Sequence, residues 1–183
     1  MALVLVPLAE GFEDLEAITI TDLLRRAQID VISAGLKPGP VKGSRGTIVV
    51  PDMSLDEALA NKFDMIVLPG GQPGATHLEQ DQRIHKLLQD MAANNKVIAA
   101  ICAAPKVLAT AGLLDGKQAT SYPGSVSAAE FPTVKLSTNP VVIDGNIVTS
   151  RGPGTAMDFT LTLIEMLVGA EVSRNVEQAL QRP

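Results

Sequence analysis

The chain has 183 residues, a length that suggests one domain with a full-sized core over residues 1–183. Hydrophobic residues make up 46% of it but aromatic residues only 3%, so Val, Ile, Leu and Ala must build the core. The net charge is −5 and no stretch concentrates Lys and Arg, which argues against a nucleic-acid surface. A single cysteine excludes an internal disulfide and a cysteine-based zinc cluster, and two histidines are too few for a histidine-rich metal site.

The N-terminus is apolar but has no basic segment, and acidic residues follow within its first ten or so positions. This pattern favours a first β-strand over a signal peptide. No apolar run is long enough to span a bilayer. We therefore predict a cytoplasmic protein with no membrane partner, in a compartment where a lone thiol stays reduced.

Short apolar runs alternate with helical patterns along the chain. Strands are predicted over residues 3–8, 31–34, 65–68 and 97–101, with a ribbon over 41–50 and a hairpin over 141–149. Helices are predicted over residues 12–27, 81–94, 155–168 and about 171–180, with a short one opened by a capping box at 54–57 and another that ends near Gly112. This alternation indicates an α/β fold with a mostly parallel sheet and helices on both faces. Ligands of such folds bind at the carboxyl ends of the strands.

The apolar run at residues 97–101 stops at Cys102, the only cysteine, and a helical pattern follows. Small residues flank the thiol, as in a nucleophile elbow, a sharp strand-to-helix turn that presents a reactive atom. The amino end of the following helix would favour the thiolate. The alternative is that Cys102 is a small core residue, as most free cysteines are.

A helical wheel of residues 12–27 gives one apolar arc, and Glu16 falls in its middle. A core-facing carboxylate is costly unless it is paired, hydrogen-bonded or protonated, so we predict a functional role for Glu16. Glu13 and Asp14 lie in the first turn, where we expect them to interact with their own helix end. A protonated Glu16 would donate a hydrogen bond to the Cys102 thiolate and lower the thiol pKa, whereas a charged one would raise it.

Gly70 and Gly71 follow the strand at residues 65–68. Their backbone N–H groups can approach a substrate oxygen closely, and Gly71 with the N–H of Ala103 would form an oxyanion hole. An ordinary Pro-Gly-Gly turn is the alternative.

Leu15 and Ile18 lie on the polar side of the first helix. Isolated exposed leucines are common, but two apolar residues on one polar face also fit the seam of a symmetric dimer. We favour the dimer.

Six ordered motifs together resemble the ThiJ/PfpI superfamily, in its parkinsonism-associated deglycase branch. They are Gly11-Phe-Glu-Asp-Leu-Glu16, Asp22-Leu-Leu-Arg-Arg-Ala27, Ser44-Arg45, Val67-Leu-Pro-Gly-Gly71, Ala99-Ala-Ile-Cys-Ala-Ala-Pro105 and Thr149-Ser-Arg-Gly-Pro-Gly-Thr155. The resemblance covers nearly the whole chain.

The resemblance implies a flavodoxin-like three-layer sandwich and a homodimer built partly on the first helix. It implies that Cys102 is the nucleophile and a redox-sensitive thiol, and that Glu16 is the protonated glutamate beside it. Gly71 and Ala103 match the family's backbone N–H donors at the site, and Arg45 and Arg26 match arginines that approach the site across the dimer. Activities attributed to the family are removal of glyoxal and methylglyoxal adducts from proteins and nucleotides, cofactor-independent glyoxalase activity, chaperone function and oxidative-stress sensing.

Tyr122 stands where the related human-type sequence has a histidine near the thiol, which puts an imidazole base in doubt and leaves the phenol as a weaker proton-transfer group. The PfpI-type peptidases and the glutamine amidotransferases pair their cysteine with a histidine. Neither His77 nor His85 follows the elbow, which argues against peptidase activity.

The sequence therefore predicts an enzyme that acts on small dicarbonyls or on their early protein or nucleotide adducts, with no metal or organic cofactor. The alternative is a non-enzymatic stress sensor or redox-regulated chaperone that uses the same cysteine. The motifs do not separate the two, because a reactive thiol serves either role.

Overall fold

In the computed structural model, which describes residues 2–182, a seven-stranded sheet runs through the molecule. Its strands are β1 (Leu3–Leu8), β2 (Asp30–Gly35), β5 (Met53–Ser54), β6 (Met65–Leu68), β7 (Val97–Ile101), β10 (Val141–Asp144) and β11 (Ile147–Ser150), in the spatial order β10-β11-β7-β6-β1-β2-β5. All neighbours pair in parallel except β10 and β11. Two small ribbons complete the strands: β3 (Val41–Lys42) with β4 (Ile48–Val49), and β8 (Gln118–Ala119) with β9 (Lys135–Leu136).

Helices cover both faces of this sheet and make a three-layer sandwich. They are α1 (Asp14–Arg26), α2 (Leu55–Ala58), α3 (Gly74–Gln80), α4 (Gln82–Ala93), α5 (Pro105–Thr110), α6 (Ala156–Val168) and α7 (Ala170–Ala179). One apolar cluster joins the sheet to α1 and α6, and the other joins it to α2, α3, α4 and α5. The predicted α/β class with a mostly parallel sheet is therefore confirmed.

Most local signals lead to the predicted elements. β6 and β7 have the predicted bounds, and the predicted capping box of Ser54 and Glu57 opens α2. The first helix begins at Asp14 rather than at residue 12, because Glu13 is still extended. The prediction omitted α3, since the Pro73-Gly74 pair that precedes and opens it is typical of a turn.

The topology puts three segments side by side at one edge of the sheet. β1, β6 and β7 are adjacent and parallel, so their carboxyl ends meet. The segments after them lead to Glu16, to Gly70 and to Cys102. This edge is the crevice where α/β folds bind ligands.

Candidate active site

Cys102 lies directly after β7 in a left-handed conformation, with φ at +64°. Its N–H donates to the carbonyl of Ser150 at 3.0 Å, and its own carbonyl accepts the N–H of Tyr122 at 2.8 Å. A non-glycine residue in this region is strained and is held there by its surroundings. The two backbone bonds hold the elbow, and the residue keeps 9% of its surface exposed.

Glu16 lies on the face of α1 that packs on the sheet and is completely buried. Its Oε2 atom accepts the N–H of Gly70 at 2.8 Å. A side-chain methyl group at Gly70 would lie 2.7 Å from Cys102 Cβ and 2.9 Å from Glu16 Oε2. The carboxyl group and the thiol therefore converge on a position that only glycine can leave open.

The second carboxyl oxygen of Glu16, Oε1, is fully buried and makes no hydrogen bond of good geometry within residues 2–182. The Cys102 thiol lies close enough to this carboxyl group to shift its ionisation. A charged carboxylate oxygen that is buried without a donor is more costly than a neutral carboxyl group. Oε1 is thus the natural place for the proton that this pair shares.

Burial raises the pKa of Glu16 from 4.5 to about 7, and the hydrogen bond from Gly70 opposes the rise only in part. Burial also raises the pKa of the Cys102 thiol, to about 12, and the negative charge of an ionised Glu16 adds to the rise. The sequence led us to expect a lowered thiol pKa beside a protonated Glu16, whereas burial and an ionised Glu16 both raise it. Burial of the thiol is the larger cause and the charge of an ionised Glu16 the smaller one, so Cys102 ionises more readily while Glu16 keeps its proton.

The Gly70–Gly71 turn supplies two backbone donors with different roles. The N–H of Gly70 is bound to Glu16, so it serves the carboxyl group rather than a substrate. The backbone amides of Gly71 and Ala103 are directed at the sulfur and act to lower its pKa. Gly71 has φ at +89°, and a side chain there would overlap the backbone of Gly11 and Glu13.

The remaining predicted residues make other contacts, and only Tyr122 among them is bonded to Cys102 within residues 2–182. Tyr122 is half-exposed and bonds to Cys102 through its backbone. The Arg45 side chain is 78% exposed, with its Nε atom 3.9 Å from Glu13 Oε2, while Arg26 is paired with Asp22 on the surface. His77 and His85 each contact a backbone carbonyl, of Glu10 and of Glu79.

Glu13 and Asp14 do not simply cap their own helix, as the sequence led us to expect. Glu13 accepts a hydrogen bond from the hydroxyl of Ser44 at 3.1 Å, and Asp14 binds the backbone of the turn at residues 43–47. Sequence reasoning also missed Ser150, whose backbone carbonyl holds the Cys102 amide. A backbone contact leaves no side-chain signal by which the sequence could reveal it.

Glu16 is expected to make the stability of the fold depend on pH. Its folded pKa, about 7, lies above its ordinary value of 4.5, so its contribution is fully present below about pH 4.5 and is lost as the pH rises through 7. Wild type should therefore lose about 2–3 kcal/mol in free energy of unfolding between pH 5 and pH 8 through this group. Glu16→Gln should not show this loss, so the difference in stability between the variant and wild type should move in favour of the variant by that amount over the same range. Urea denaturation at several pH values measures the difference.

A control for this titration is Glu57→Gln. Hydrogen bonds from Ser54 lower the pKa of Glu57, so this replacement should cost more stability at neutral than at acidic pH. A pH-independent difference between Glu16→Gln and wild type would show that Glu16 does not titrate near neutrality.

Comparison with known proteins gives a consistent relationship. Residues 2–166 match the model of the DJ-1/PfpI family. Protein dj-1beta of Drosophila melanogaster is 44% identical over 96% of this chain and 95% of its own length. Its crystal structure has a TM-score of 0.94 and covers 100% of this chain and 98% of that one, at 42% identity.

Two other relatives have names that state an activity. A glutathione-independent glyoxalase of Caenorhabditis elegans is 36% identical over 98% of this chain and 95% of its own length. A deglycase of Pyrococcus abyssi is 32% identical over 90% of this chain and 98% of its own length. The resemblance seen in the sequence motifs is thereby confirmed, and the chain belongs to the DJ-1/PfpI family.

Proposed function

We propose that the protein is a cofactor-independent, cysteine-dependent enzyme of glyoxalase or deglycase type. Its substrates are methylglyoxal, glyoxal or their early adducts on proteins and nucleotides, and it acts in stress protection in the cytoplasm. The observation that carries the proposal is the convergence of Glu16 and Cys102 at Gly70. Relatives named as a glyoxalase and a deglycase support the same class of substrate.

The reaction begins with the Cys102 sulfur attacking the aldehyde carbon of methylglyoxal. A C–S bond forms, and the electron pair of the carbonyl double bond moves to oxygen and gives a hemithioacetal oxyanion. The amides of Gly71 and Ala103, which are directed at the sulfur, are positioned to donate to that oxygen. Glu16 keeps its proton during the attack and thereby avoids a second negative charge beside the sulfur.

Rearrangement then moves a proton from the aldehyde carbon to the neighbouring carbon through an enediol. Glu16 first gives its proton to the oxyanion. Its carboxylate then takes the proton of the aldehyde carbon and returns it to the neighbouring carbon, and a pKa of about 7 suits both directions at neutral pH. The product is a lactoyl thioester of Cys102. Water cleaves its C–S bond and releases lactate, so that methylglyoxal plus water gives lactate with no external oxidant or reductant.

The test is lactate formation from methylglyoxal by the purified protein with no glutathione added. The matched control is the same protein after alkylation with iodoacetamide, which blocks its single thiol. We expect lactate from the untreated protein and none above the buffer rate from the alkylated one. Equal rates of lactate formation in both samples would reject the proposed enzymatic activity.

A stress sensor or redox-regulated chaperone is the second candidate function. It is favoured because Cys102, although buried, keeps 9% of its surface exposed. Oxidation of Cys102 would then be the signal. Suppression of client aggregation should differ between reduced and peroxide-treated protein, and equal suppression by both forms would reject this function.

We also propose a homodimer through α1. Leu15 and Ile18 are 51% and 47% exposed, and Ile48, in the strand that follows the turn bonded to Asp14, is 66% exposed. Exposed apolar side chains grouped in this way mark protein–protein contacts. In a two-fold dimer the same patch of each copy would meet its counterpart.

The dimer gives a prediction for sedimentation. Ile18→Glu should convert a dimeric protein into a monomer at micromolar concentration, because it places a charge in the apolar contact. Ile143→Glu, at a similarly exposed isoleucine on the edge strand β10, should leave the dimer intact. Analytical ultracentrifugation distinguishes them, and a monomeric wild type would exclude this interface.

A further inference from the structure

We propose that Asp14 is a positioning residue whose carboxylate holds the turn at residues 43–47 and thereby places Arg45 beside the Cys102 site. The inference rests on the proposed function and adds to it that Arg45 contributes positive charge to substrate binding. Asp14 lies within the motif at residues 11–16, where the sequence pattern indicates only an interaction with its own helix end.

The carboxylate of Asp14 binds two backbone groups of this turn. Its Oδ2 atom accepts the N–H of Arg45 at 2.8 Å, and its Oδ1 atom accepts the N–H of Thr47 at 2.9 Å. Burial opposes ionisation of Asp14, but hydrogen bonds from Thr47 and Arg45 outweigh it and lower the pKa of the carboxyl group. A charged acceptor bonded to backbone N–H groups is among the stronger hydrogen-bond arrangements in proteins.

Apart from Asp14, the turn is held by two bonds within itself, from the Gly43 N–H to the Thr47 carbonyl at 2.8 Å and from the Gly46 N–H to the Gly43 carbonyl at 3.1 Å. The Ser44 hydroxyl also donates to Glu13. Residues 44–48 are exposed, and β3 and β4 pair over only two residues each. The backbone of the first-helix segment adds one bond, from the Ser44 N–H to the Phe12 carbonyl at 2.8 Å. At Gly43 a side-chain methyl group would overlap the Asp14 carboxylate, so the chain passes directly against it. Asp14 is therefore the main side-chain anchor of the turn.

The other side of the same helical turn is attached to the site. The Glu13 N–H donates to the Gly70 carbonyl at 2.9 Å, and Glu16 accepts the Gly70 N–H. The Nε atom of Arg45 lies 3.9 Å from Glu13 Oε2. The first turn of α1 thus connects the Arg45 turn rigidly to the Cys102 site, with Asp14 as the link on the turn side.

The test compares the alkylation of Cys102 by iodoacetate, an anion, and by iodoacetamide, its neutral analogue. The ratio of the two rates reports positive charge near the thiol and needs no enzymatic turnover. Arg45→Ala should lower the ratio roughly threefold. Asp14→Asn should lower it by the same factor, because the amide cannot accept both N–H groups and the turn is released. The ratio in the double variant should be no lower than in Arg45→Ala alone, since both substitutions remove the same effect.

Two further variants separate positioning from a general loss of stability. Gly43→Ala displaces the Asp14 carboxylate without removing it and should also lower the ratio. Asp64→Asn removes a carboxylate that likewise accepts a backbone N–H, that of Leu3, at the opposite edge of the sheet, and should leave the ratio at the wild-type value.

A wild-type ratio in folded Asp14→Asn and Gly43→Ala would overturn the proposal. A wild-type ratio in Arg45→Ala would overturn it as well, because Arg45 would then not act near the thiol. Absence of lactate formation with the expected ratios would reject the proposed activity alone and leave the role of Asp14 standing.

Discussion

Replacing Cys102 with serine is expected to lower kcat/KM for methylglyoxal by at least about 10³-fold. A serine hydroxyl fits the same space, but it does not ionise near neutral pH. Glu16 would have to remove its proton during the attack, although the pair is arranged for a carboxyl group that keeps its own. Lactate formation under saturating and limiting substrate gives the two kinetic constants.

The fold should survive this change, because serine occupies the same left-handed position with the same two backbone bonds, to Ser150 and to Tyr122. Thermal denaturation should therefore show a Tm within a few degrees of wild type. Activity within about tenfold of wild type would mean that the sulfur is not the nucleophile. A Tm far below that of wild type would instead point to a structural role of the thiol, the alternative that the sequence left open.

Replacing Glu16 with glutamine is expected to lower turnover by at least about 10²-fold, the usual contribution of a positioned acid or base. The amide can donate a hydrogen bond to the sulfur as a protonated carboxyl group does, but it cannot exchange protons with the enediol. At pH 6, where Glu16 is protonated in wild type, alkylation of Cys102 by iodoacetamide should therefore change by no more than about threefold. The two measurements separate formation of the thiolate from proton transfer.

The matched control is Glu10→Gln, at an exposed glutamate near the same edge of the sheet that bonds to the Lys42 backbone. It should leave both rates at the wild-type value. If turnover and alkylation fall together in Glu16→Gln, Glu16 acts only by supporting the thiolate. If neither falls, the carboxyl group has no part in the chemistry.

The centre of the site could be predicted because its signals are local. The continuous apolar run at residues 97–101 is typical of a buried strand and stops at Cys102. A helical wheel is enough to show that Glu16 faces the core. The carboxyl ends of parallel strands share an edge, so the strand–helix order of the sequence is enough to place the two segments near each other.

The surroundings of the site could not be predicted in the same way. Acidic residues are common in the first turn of a helix, so the sequence already accounts for Asp14 there. Nothing in the sequence then indicates that its carboxylate also binds the turn at residues 43–47. The sign of the thiol pKa shift likewise could not be predicted, because it depends on the balance between burial of the thiol, the charge of Glu16 and the amides of Gly71 and Ala103, which only the folded structure sets.

The adjacency of β7, β6 and β1 has a consequence for how the protein can be observed while it folds. Glu16, Gly70 and Cys102 are distant in the chain and meet only when these three strands have paired. Until they pair, the single cysteine is an ordinary solvent-exposed thiol with the reactivity of a free peptide. Pulsed labelling of Cys102 during refolding would thus time the closure of the central sheet with no introduced probe.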